Sequence, residues 1–286
     1  MIERIAILGT GLLGTSAGLA LRAAGYQGSI TGWNRSPEQA HVAQRMGAVD
    51  AIAADALQAA RESQVVLICV PIFATLDLME RLAPVLGPEH LVTDVGSTKG
   101  RITEAAGRLF NTPQRAAFLP GHPMAGKERG SAHLADAQLF RGAVWLFTGV
   151  PSWRQSPQSA LLAEDWRLWV AALGCKIVDI DPARHDEMVA WVSHLPQFVA
   201  TALSAVLEDE VGDAPELKDV GGRGLREMTR LGASPFSMWR DIAHTNTDAI
   251  QKTLLAMEQR LAHLRENLHS PALREEWEKA NRFRGE

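Results

Sequence analysis

The chain has 286 residues, of which 46% are hydrophobic and 22% charged, with a formal net charge of -4. This composition is typical of a globular protein with one or two domains and excludes an intrinsically disordered chain. No polybasic run is present, so the charge does not indicate binding to nucleic acid or to a membrane surface. We find neither a signal-peptide pattern nor an apolar run of membrane-spanning length, and we expect a soluble, cytoplasmic protein. Cys69 and Cys175 lie in apolar runs and indicate neither a disulfide framework nor a metal site.

The first predicted strand, residues 4–8, leads into a glycine-rich turn. Residues 9–14 read Gly-Thr-Gly-Leu-Leu-Gly and open a predicted helix over residues 12–24. A G-x-G-x-x-G motif between a buried strand and a helix is typical of dinucleotide-binding folds, whose pyrophosphate lies at the helix N-terminus. We therefore expect a cofactor cradle formed by Gly9, Gly11, Leu12, Leu13 and Gly14. The alternative is a glycine turn that binds nothing.

The second predicted strand, residues 29–33, ends where the identity of the cofactor is commonly set. Folds specific for NAD usually place an acidic residue here, on the ribose hydroxyls. This chain has Asn34, Arg35 and Ser36 instead, and a guanidinium can bind a 2′-phosphate that a carboxylate would repel. The sequence therefore favours NADP over NAD. The alternative is that Ser36 only caps the next helix, ahead of Pro37.

Further predicted strands continue the alternation of strand and helix as far as residue 182. They cover residues 65–70, 91–95, 116–119, 143–147 and 175–180, with a helix over residues 160–173, and we expect the last strand to close the sheet. Val70 and Pro71 end one strand, and Ser97 follows the next, so all three belong at the edge where such sheets bind ligands. We expect them to contact the cofactor. For Ser97, a role as helix N-cap is the alternative.

His122 lies in the stretch Leu-Pro-Gly-His-Pro-Met-Ala-Gly, residues 119–126, directly after a predicted strand. We expect it where strand meets loop, with Gly121 and Gly126 allowing a ligand to approach the backbone. Histidine titrates near neutral pH, which suits a residue that transfers protons. The alternative is a surface histidine without a catalytic role.

After residue 182 every segment is predicted to be helical. The helix over residues 185–207 is apolar nearly all round, so we expect it to be buried in a core or against a second subunit. Pro196 should kink it, and His194 and Gln197 share one of its faces. Arg223, Arg226 and Arg230 form a cationic stripe, with a solvated face paired to Asp219 and Glu227 as the alternative. Two more helices are predicted, over residues 235–268, with Trp239 in its first turns, and over residues 273–283.

Taken together, these motifs resemble those of the prephenate dehydrogenase family, and the likeness extends over nearly the whole chain. They are, in order, residues 9–14, Val-Gly-Ser-Thr-Lys-Gly (95–100), Gly-His-Pro-Met-Ala-Gly (121–126), Asp181-Pro182 with His185-Asp186, Ser-His-Leu-Pro (193–196) and Met-Trp-Arg-Asp-Ile (238–242). The resemblance implies an α/β fold, with an N-terminal Rossmann-type doubly wound sheet followed by an all-helical dimerisation domain. We place the boundary between residues 1–182 and 183–286 and expect a homodimer formed through the helical domain.

The same resemblance implies a reaction and roles for single residues. The family oxidatively decarboxylates prephenate, or its amino counterpart arogenate, on the way to tyrosine. His122 would accept the proton of the ring hydroxyl, and Ser97 would orient His122 and the nicotinamide. Arg230 would bind a substrate carboxylate, while His194 and Trp239 would line the same pocket, in a cleft between the domains. His185 would have a supporting structural role.

Two departures from the family pattern bear on specificity. Many members read His-Leu-Pro-His, whereas residues 194–197 here end in Gln197, and a neutral amide suits the ammonium of arogenate better than an imidazolium would. Arogenate is therefore a rival substrate, and Asn34-Arg35 departs from the NAD preference of many members. A more remote alternative is an NADP oxidoreductase of the β-hydroxyacid dehydrogenase or imine reductase type, although no lysine occurs between Lys176 and Lys218 to serve as its catalytic residue. The last alternative is a non-catalytic NADP sensor.

Overall fold

A computed structural model describes residues 1–127, 129–149 and 156–285 of the chain, and its first half is built on a six-stranded parallel sheet. The spatial order of the strands is β3-β2-β1-β4-β5-β6, so the chain reverses direction across the sheet between β1 and β4. Ligands of doubly wound sheets bind at such a reversal, outside the carboxyl ends of the strands. The strands are β1 (Arg4–Leu8), β2 (Ser29–Trp33), β3 (Ala51–Ile52), β4 (Val65–Ile68), β5 (Leu91–Asp94) and β6 (Ala117–Leu119). The two-residue strand β3 was not predicted from the sequence.

Helices connect these strands, and the first two begin close to where the sequence indicates. They are α1 (Leu12–Ala23), α2 (Pro37–Arg45), α3 (Ala56–Arg61), α4 (Ile72–Leu82) and α5 (Gly100–Leu109). Small residues on α1 allow it to pack closely against the segment that follows α2. A Cβ atom on Gly18 would lie 2.2 Å from the carbonyl oxygen of Ala48. The predicted doubly wound fold is confirmed.

The remaining strands form a separate three-stranded sheet, which corrects the prediction that the last strand closes the main sheet. These strands are β7 (Gly121–Pro123), β8 (Val144–Phe147) and β9 (Lys176–Asp179), with β8 in the middle. Pro120 ends the main sheet because it lacks an N–H for the ladder, and its carbonyl instead accepts a hydrogen bond from Thr148 N at 3.1 Å. His122 therefore lies within β7, not at the end of a strand as predicted.

Aromatic residues fill the core beside the small sheet. Trp145 on β8 is fully buried and packs edge-on against Trp166 of helix α6 (Pro157–Ala172), with ring centroids 6.5 Å apart. Phe140 and Phe147 pack against Trp145 from its other sides. This cluster fixes β8, and its antiparallel pairing with β7 in turn sets the position of His122 opposite Leu146.

The second half of the described chain is helical, as predicted, but two of the long helices are interrupted. The helices are α7 (Pro182–Val189), α8 (Leu195–Val211), α9 (Leu217–Val220), α10 (Arg223–Thr229), α11 (Phe236–Thr245), α12 (Thr247–Glu266) and α13 (Pro271–Arg284). A π-helical turn, Ala190–His194, separates α7 from α8 just before Pro196, whose missing N–H loosens the hydrogen-bond ladder there. Asn246 breaks the helix predicted over residues 235–268, because its side chain donates a hydrogen bond to the Asp186 carbonyl at 2.8 Å.

The chain divides into two compact units that do not follow a single cut in the sequence. The first unit contains Met1–Met188 and Ala233–Asn246, and the second contains Val189–Gly232 and Thr247–Glu286. Within the first unit, α11 lies against α4, where Asp241 accepts a hydrogen bond from the Phe73 backbone N–H at 3.4 Å. The boundary that we place between residues 182 and 183 stays a prediction.

One helical run of the described chain is long and apolar enough to span a membrane, contrary to our expectation from the sequence. It covers Pro182–Val211, and its most apolar 18-residue window has a mean hydropathy of 1.3 and is 33% buried. Charged residues at both ends of the run make the apolar stretch look shorter in the sequence than the helix that contains it. The core helix of a soluble protein passes the same test, and a single such helix is weak evidence for a membrane span.

Tyr26 is the only tyrosine of the chain and is 2% exposed, with its ring edge-on to Trp169 at 5.1 Å. Burial raises the pKa of its phenol from about 10 to about 12. Because the unfolded chain ionises first, we expect this residue to cost stability as pH rises from about 10 towards 12, and not below that window. The tyrosinate absorbance should follow the higher pKa in the native protein and the ordinary one in guanidinium chloride. A native titration at the ordinary pKa would contradict the burial of Tyr26.

Candidate active site

The glycine turn after β1 has the shape that a dinucleotide requires. Gly9 adopts φ +108, and a Cβ atom there would lie 2.4 Å from the Cys69 carbonyl oxygen. A Cβ on Gly14 would lie 2.1 Å from the Gly9 carbonyl oxygen, so both positions demand glycine. Gly11, in contrast, has open space where its Cβ would be, and it precedes an α1 N-terminus that has no side-chain cap among the described residues. Free N–H groups beside open space fit a pyrophosphate.

Other predicted cofactor residues surround this turn. The side chain of Val70 lies against Gly9, and Pro71 precedes α4 as its N-cap residue. Leu12 is buried and Leu13 half-buried in the first turn of α1. These positions agree with a cradle built from the carboxyl ends of β1 and β4, on the two sides of the reversal in strand order.

The residues after β2 leave a charged side chain exposed. Asn34 accepts a hydrogen bond from the Ser36 backbone N–H at 2.9 Å, which closes a tight turn. Ser36 occupies the N-cap position of α2, yet within the described chain its side chain makes no capping hydrogen bond. Ser36 and Pro37 thus take the N-cap and first helical positions that we weighed as the alternative, without the capping hydrogen bond, and Arg35 beside them is exposed.

A fully buried carboxylate, Asp94, ties two of the sequence motifs together. It ends β5, and its Oδ2 accepts hydrogen bonds from the Lys99 ammonium at 2.5 Å and from Gly96 N at 2.7 Å. Its Oδ1 accepts from Gly121 N at 3.1 Å. The turn that carries Ser97 and the strand that carries His122 are thus held by the same side chain.

Lys99 is as deeply buried as its partner Asp94. Burial lowers the pKa of the Lys99 ammonium, and the adjacent carboxylate opposes that shift through its charge and its hydrogen bond. The Asp94 carboxylate and the Lys99 ammonium are both shielded from solvent. Removing either group would leave the other as a buried ion without a counter-charge.

His122 is the first member of a buried chain of side chains. Its Nδ1 lies 2.9 Å from Nε2 of His185, which is completely buried, and His185 Nδ1 lies 2.8 Å from Asp186 Oδ1. Asp186 also accepts hydrogen bonds from two backbone N–H groups at the start of α5, those of Lys99 at 2.7 Å and Gly100 at 2.8 Å. A histidine set against a second histidine and a carboxylate can accept a proton and have the resulting charge stabilised.

Some of these supporting residues were expected from the sequence and others were not. His185 was expected to be structural or to support another residue of the site, and it contacts His122 directly. Asp94, Lys99 and Asp186 were not predicted as site residues, although the signal was present: an aspartate follows His185, and a lysine lies inside the motif of residues 95–100. The role of Ser97 in orienting His122 stays a prediction.

The other predicted substrate residues are placed in both units. Trp239 lies on α11 in the first unit. In the second unit, His194 ends the π-helical turn and is buried, and Gln197 donates a hydrogen bond from Nε2 to the Leu231 carbonyl at 2.7 Å. Arg230 begins a short 3₁₀ helix, Arg230–Ala233, in the same unit. The convergence of His122 and Arg230 on one substrate stays a prediction.

Two arginines of the predicted cationic stripe, Arg223 and Arg226, lie exposed on α10. Arg223 forms an ion pair with Glu227 at 2.7 Å, and both side chains are largely exposed. This is the solvated-face arrangement that we weighed as the alternative. Arg226 lies on the same helix, α10, and is also exposed.

A glycine cradle at the reversal of a doubly wound sheet, with a buried histidine in the same compact unit, defines a dinucleotide-dependent dehydrogenase as the class of protein. Two family models match the chain: the nucleotide-binding domain of prephenate dehydrogenase over residues 17–168 and its dimerization domain over residues 181–282. The chain belongs to the prephenate dehydrogenase family. This membership decides against the oxidoreductases of the β-hydroxyacid dehydrogenase type that we considered.

Individual relatives agree with this assignment. A prephenate dehydrogenase of Lactococcus lactis is 30% identical over 93% of this chain, which spans 70% of that relative. The solved structure of Synechocystis arogenate dehydrogenase is 31% identical with a TM-score of 0.77, and the match covers 99% of both chains. Prephenate dehydrogenase from A. aeolicus, solved with hydroxyphenyl propionate and NAD+, is 27% identical with a TM-score of 0.82, covering 99% of this chain and 95% of that one.

Replacing Lys99 with methionine should destabilise the protein strongly, because it leaves the Asp94 carboxylate buried without its cation. We expect the free energy of unfolding to fall by about 3–5 kcal/mol in urea titrations. Arg223→Met removes an exposed ion pair of the same kind and should cost less than about 1 kcal/mol. Equal, small losses in both variants would contradict the structural role of the buried pair.

Proposed function

We propose that this protein oxidatively decarboxylates prephenate to 4-hydroxyphenylpyruvate, with hydride transfer to a nicotinamide cofactor, in tyrosine biosynthesis. The observation that carries the proposal is the buried chain His122–His185–Asp186, tied through Asp94 to the turn of residues 96–99. The glycine cradle lies in the same compact unit. The family names of its relatives support the choice of substrate.

The residues of this chain would act on a single proton. When the ring carbon that bears the hydroxyl gives up its hydride, His122 accepts the hydroxyl proton. Loss of carbon dioxide then returns the electron pair of the broken carbon–carbon bond to the ring, which becomes aromatic. His122 then gives the proton back to the same oxygen, and the product is released as a phenol. Charge balances without net proton release, so one imidazole suffices as base and then as acid. The cofactor, when bound, supplies the hydride acceptor.

Polar residues from several elements would position the substrate. We propose that Arg230 binds a carboxylate, because a guanidinium forms two parallel hydrogen bonds with one. His194 and Trp239 would line the pocket, and Ser97 would orient His122. Arg230 is exposed and His194 is buried.

Arogenate is the second candidate substrate, and Gln197 is the observation that favours it. The Gln197 amide nitrogen donates to the Leu231 carbonyl at 2.7 Å and to Thr201 Oγ1 at 3.2 Å. A glutamine side chain is neutral and carries a carbonyl acceptor, which suits an ammonium group. A histidine at this position, as in many family members, could instead carry a positive charge.

We propose NADP as the preferred cofactor. Arg35 is exposed next to the turn of residues 34–36, and the Ser36 hydroxyl makes no capping bond within the described part of the chain. Both groups could hold a 2′-phosphate, whereas no carboxylate follows β2 directly to hold the ribose hydroxyls of NAD.

We propose a cytoplasmic homodimer formed through the helical domain. The second family model is that of a dimerization domain. Exposed apolar side chains on the π-helical turn and α8, Trp191, Val192 and Val206, support an apolar subunit contact there. This would also account for the incomplete burial of the apolar run Pro182–Val211.

His122→Asn should abolish most turnover while leaving ligand binding intact. We expect kcat to fall about 100- to 10,000-fold, because asparagine keeps the polar shape but cannot accept a proton. Initial rates with prephenate and arogenate, each with NAD and NADP, should first establish the best pair for the native protein. Dissociation constants of that pair, followed by tryptophan fluorescence, should change little in the variant. Near-normal kcat would refute the role of His122, and no turnover in any of the four combinations would refute the proposed function.

Arg35→Ala should weaken NADP binding specifically. Losing a charged hydrogen-bond donor to the 2′-phosphate should raise the KM for NADP about 10- to 100-fold and leave that for NAD almost unchanged. Arg45→Ala, at the other end of α2, removes an equally exposed arginine and serves as the matched control. A native enzyme that strongly prefers NAD, or an unchanged KM for NADP in the variant, would overturn the proposal.

A further inference from the structure

We propose that His185 and Asp186 are positioning residues that set the tautomer of His122. In this arrangement Nδ1 of His122 carries the proton, and the unprotonated Nε2 is the atom that would accept the substrate proton. The use of that lone pair on a ring hydroxyl rests on the proposed function, whereas the tautomer itself does not.

Within the described part of the chain, the hydrogen-bond partners of the Asp186 carboxylate are all able to donate. Its Oδ1 faces the Lys99 backbone N–H at 2.7 Å, and its Oδ2 faces that of Gly100 at 2.8 Å. Both N–H groups belong to the N-terminus of α5, where the helix dipole also favours a negative charge. A protonated carboxyl would direct its O–H at one of these donors, so the ionised acceptor is the form that fits.

The next link is His185, which is completely buried. Its Nδ1 lies 2.8 Å from Asp186 Oδ1, and since a carboxylate cannot donate, the proton of this hydrogen bond belongs to Nδ1. A neutral imidazole has one N–H only. Nε2 of His185 is therefore an acceptor.

The last link is His122. Its Nδ1 lies 2.9 Å from His185 Nε2, so Nδ1 of His122 must donate, and Nε2 is left without a proton. The direction of every hydrogen bond thus follows from one anchored carboxylate. When His122 takes up a proton, the same chain places the ionised Asp186 where it stabilises the new positive charge through His185.

The anchor is itself held firmly in place. The Asn246 side chain donates to the Asp186 main-chain carbonyl at 2.8 Å, so both the backbone and the side chain of Asp186 are fixed. A Cβ on Gly100 would lie 3.0 Å from Asp186 Oδ2, which shows how closely α5 approaches the carboxylate. Asp186 therefore has little freedom to rotate, and the direction of the hydrogen bonds that depend on it stays fixed.

The direct test reads the tautomers in the native protein without substrate. Nitrogen-15 nuclear magnetic resonance of labelled histidine distinguishes protonated from bare ring nitrogens, and His122→Asn and His185→Gln assign two of the nine histidines. We expect protonated Nδ1 and bare Nε2 in both rings near neutral pH. A protonated Nε2 on His122 would overturn the proposal.

Kinetics provide the second test, because a tautomer defect should affect the chemical step more than binding. Asp186→Asn can offer an N–H to His185 and reverse the chain, so we expect kcat to fall about 10- to 100-fold while KM changes less than about threefold. His185→Gln should show the same pattern. In the control His90→Gln, another buried histidine of this unit is lost, one bonded to the Gly87 and Arg61 backbone, and kcat should stay within about twofold.

The outcomes are separable. Folded Asp186→Asn and His185→Gln proteins that retain native kcat would refute a positioning role. If either variant fails to fold, the tautomers of the native protein decide alone. If neither prephenate nor arogenate is turned over, the proposed function fails, while the resonance measurement still supports or overturns the proposed tautomer.

Discussion

The carboxylate of Asp94 is the contact on which the first unit depends. It is fully buried and pairs with the equally buried Lys99 ammonium, while its two oxygens also accept the backbone N–H groups of Gly96 and Gly121. One side chain thereby joins the end of β5, the turn that carries Ser97 and the strand that carries His122. A buried pair of this kind is a weak source of net stability, but it strongly penalises any arrangement in which either partner is alone.

A second carboxylate, Asp186 on α7, has a similar role. It binds the start of α5 through two N–H groups and His185 through an imidazole nitrogen. Lys99 contributes to both anchors, with its side chain on Asp94 and its backbone on Asp186. The motif of residues 95–100 is therefore also a junction between two buried anions.

Much of this architecture could be predicted from the sequence. Strands β1 and β4 are nearly continuous apolar runs, and the glycine turn after β1 has a recognisable pattern, so the doubly wound sheet followed directly. The separate small sheet did not, because the apolar pattern of β8 and β9 is the same whichever sheet they join. The helix break at Asn246 and the π-helical turn could not be predicted either. The first arises from a side-chain contact and the second from a backbone adjustment, and neither changes the periodic pattern of apolar residues.

The candidate site was predictable in part for a similar reason. His122 was conspicuous because glycine and proline surround it, whereas Asp94 reads as one more strand residue and Lys99 as an ordinary surface lysine. Only coordinates show that Lys99 has no solvent exposure. Pairing across 63 residues, as between His122 and His185, is information that a single sequence does not contain.

The return of residues 233–246 to the first unit has a practical consequence for anyone who wishes to recombine such enzymes. A nucleotide-binding half excised after residue 182 would lack α11, which covers α4, and would also lose Asp186 and the Asn246 amide that grips it. The two halves are interwoven along the polypeptide. A chimera that exchanges one whole unit with a relative would therefore need three junctions. A library of chimeras with a single crossover would mostly combine parts of one hydrophobic core from two different proteins.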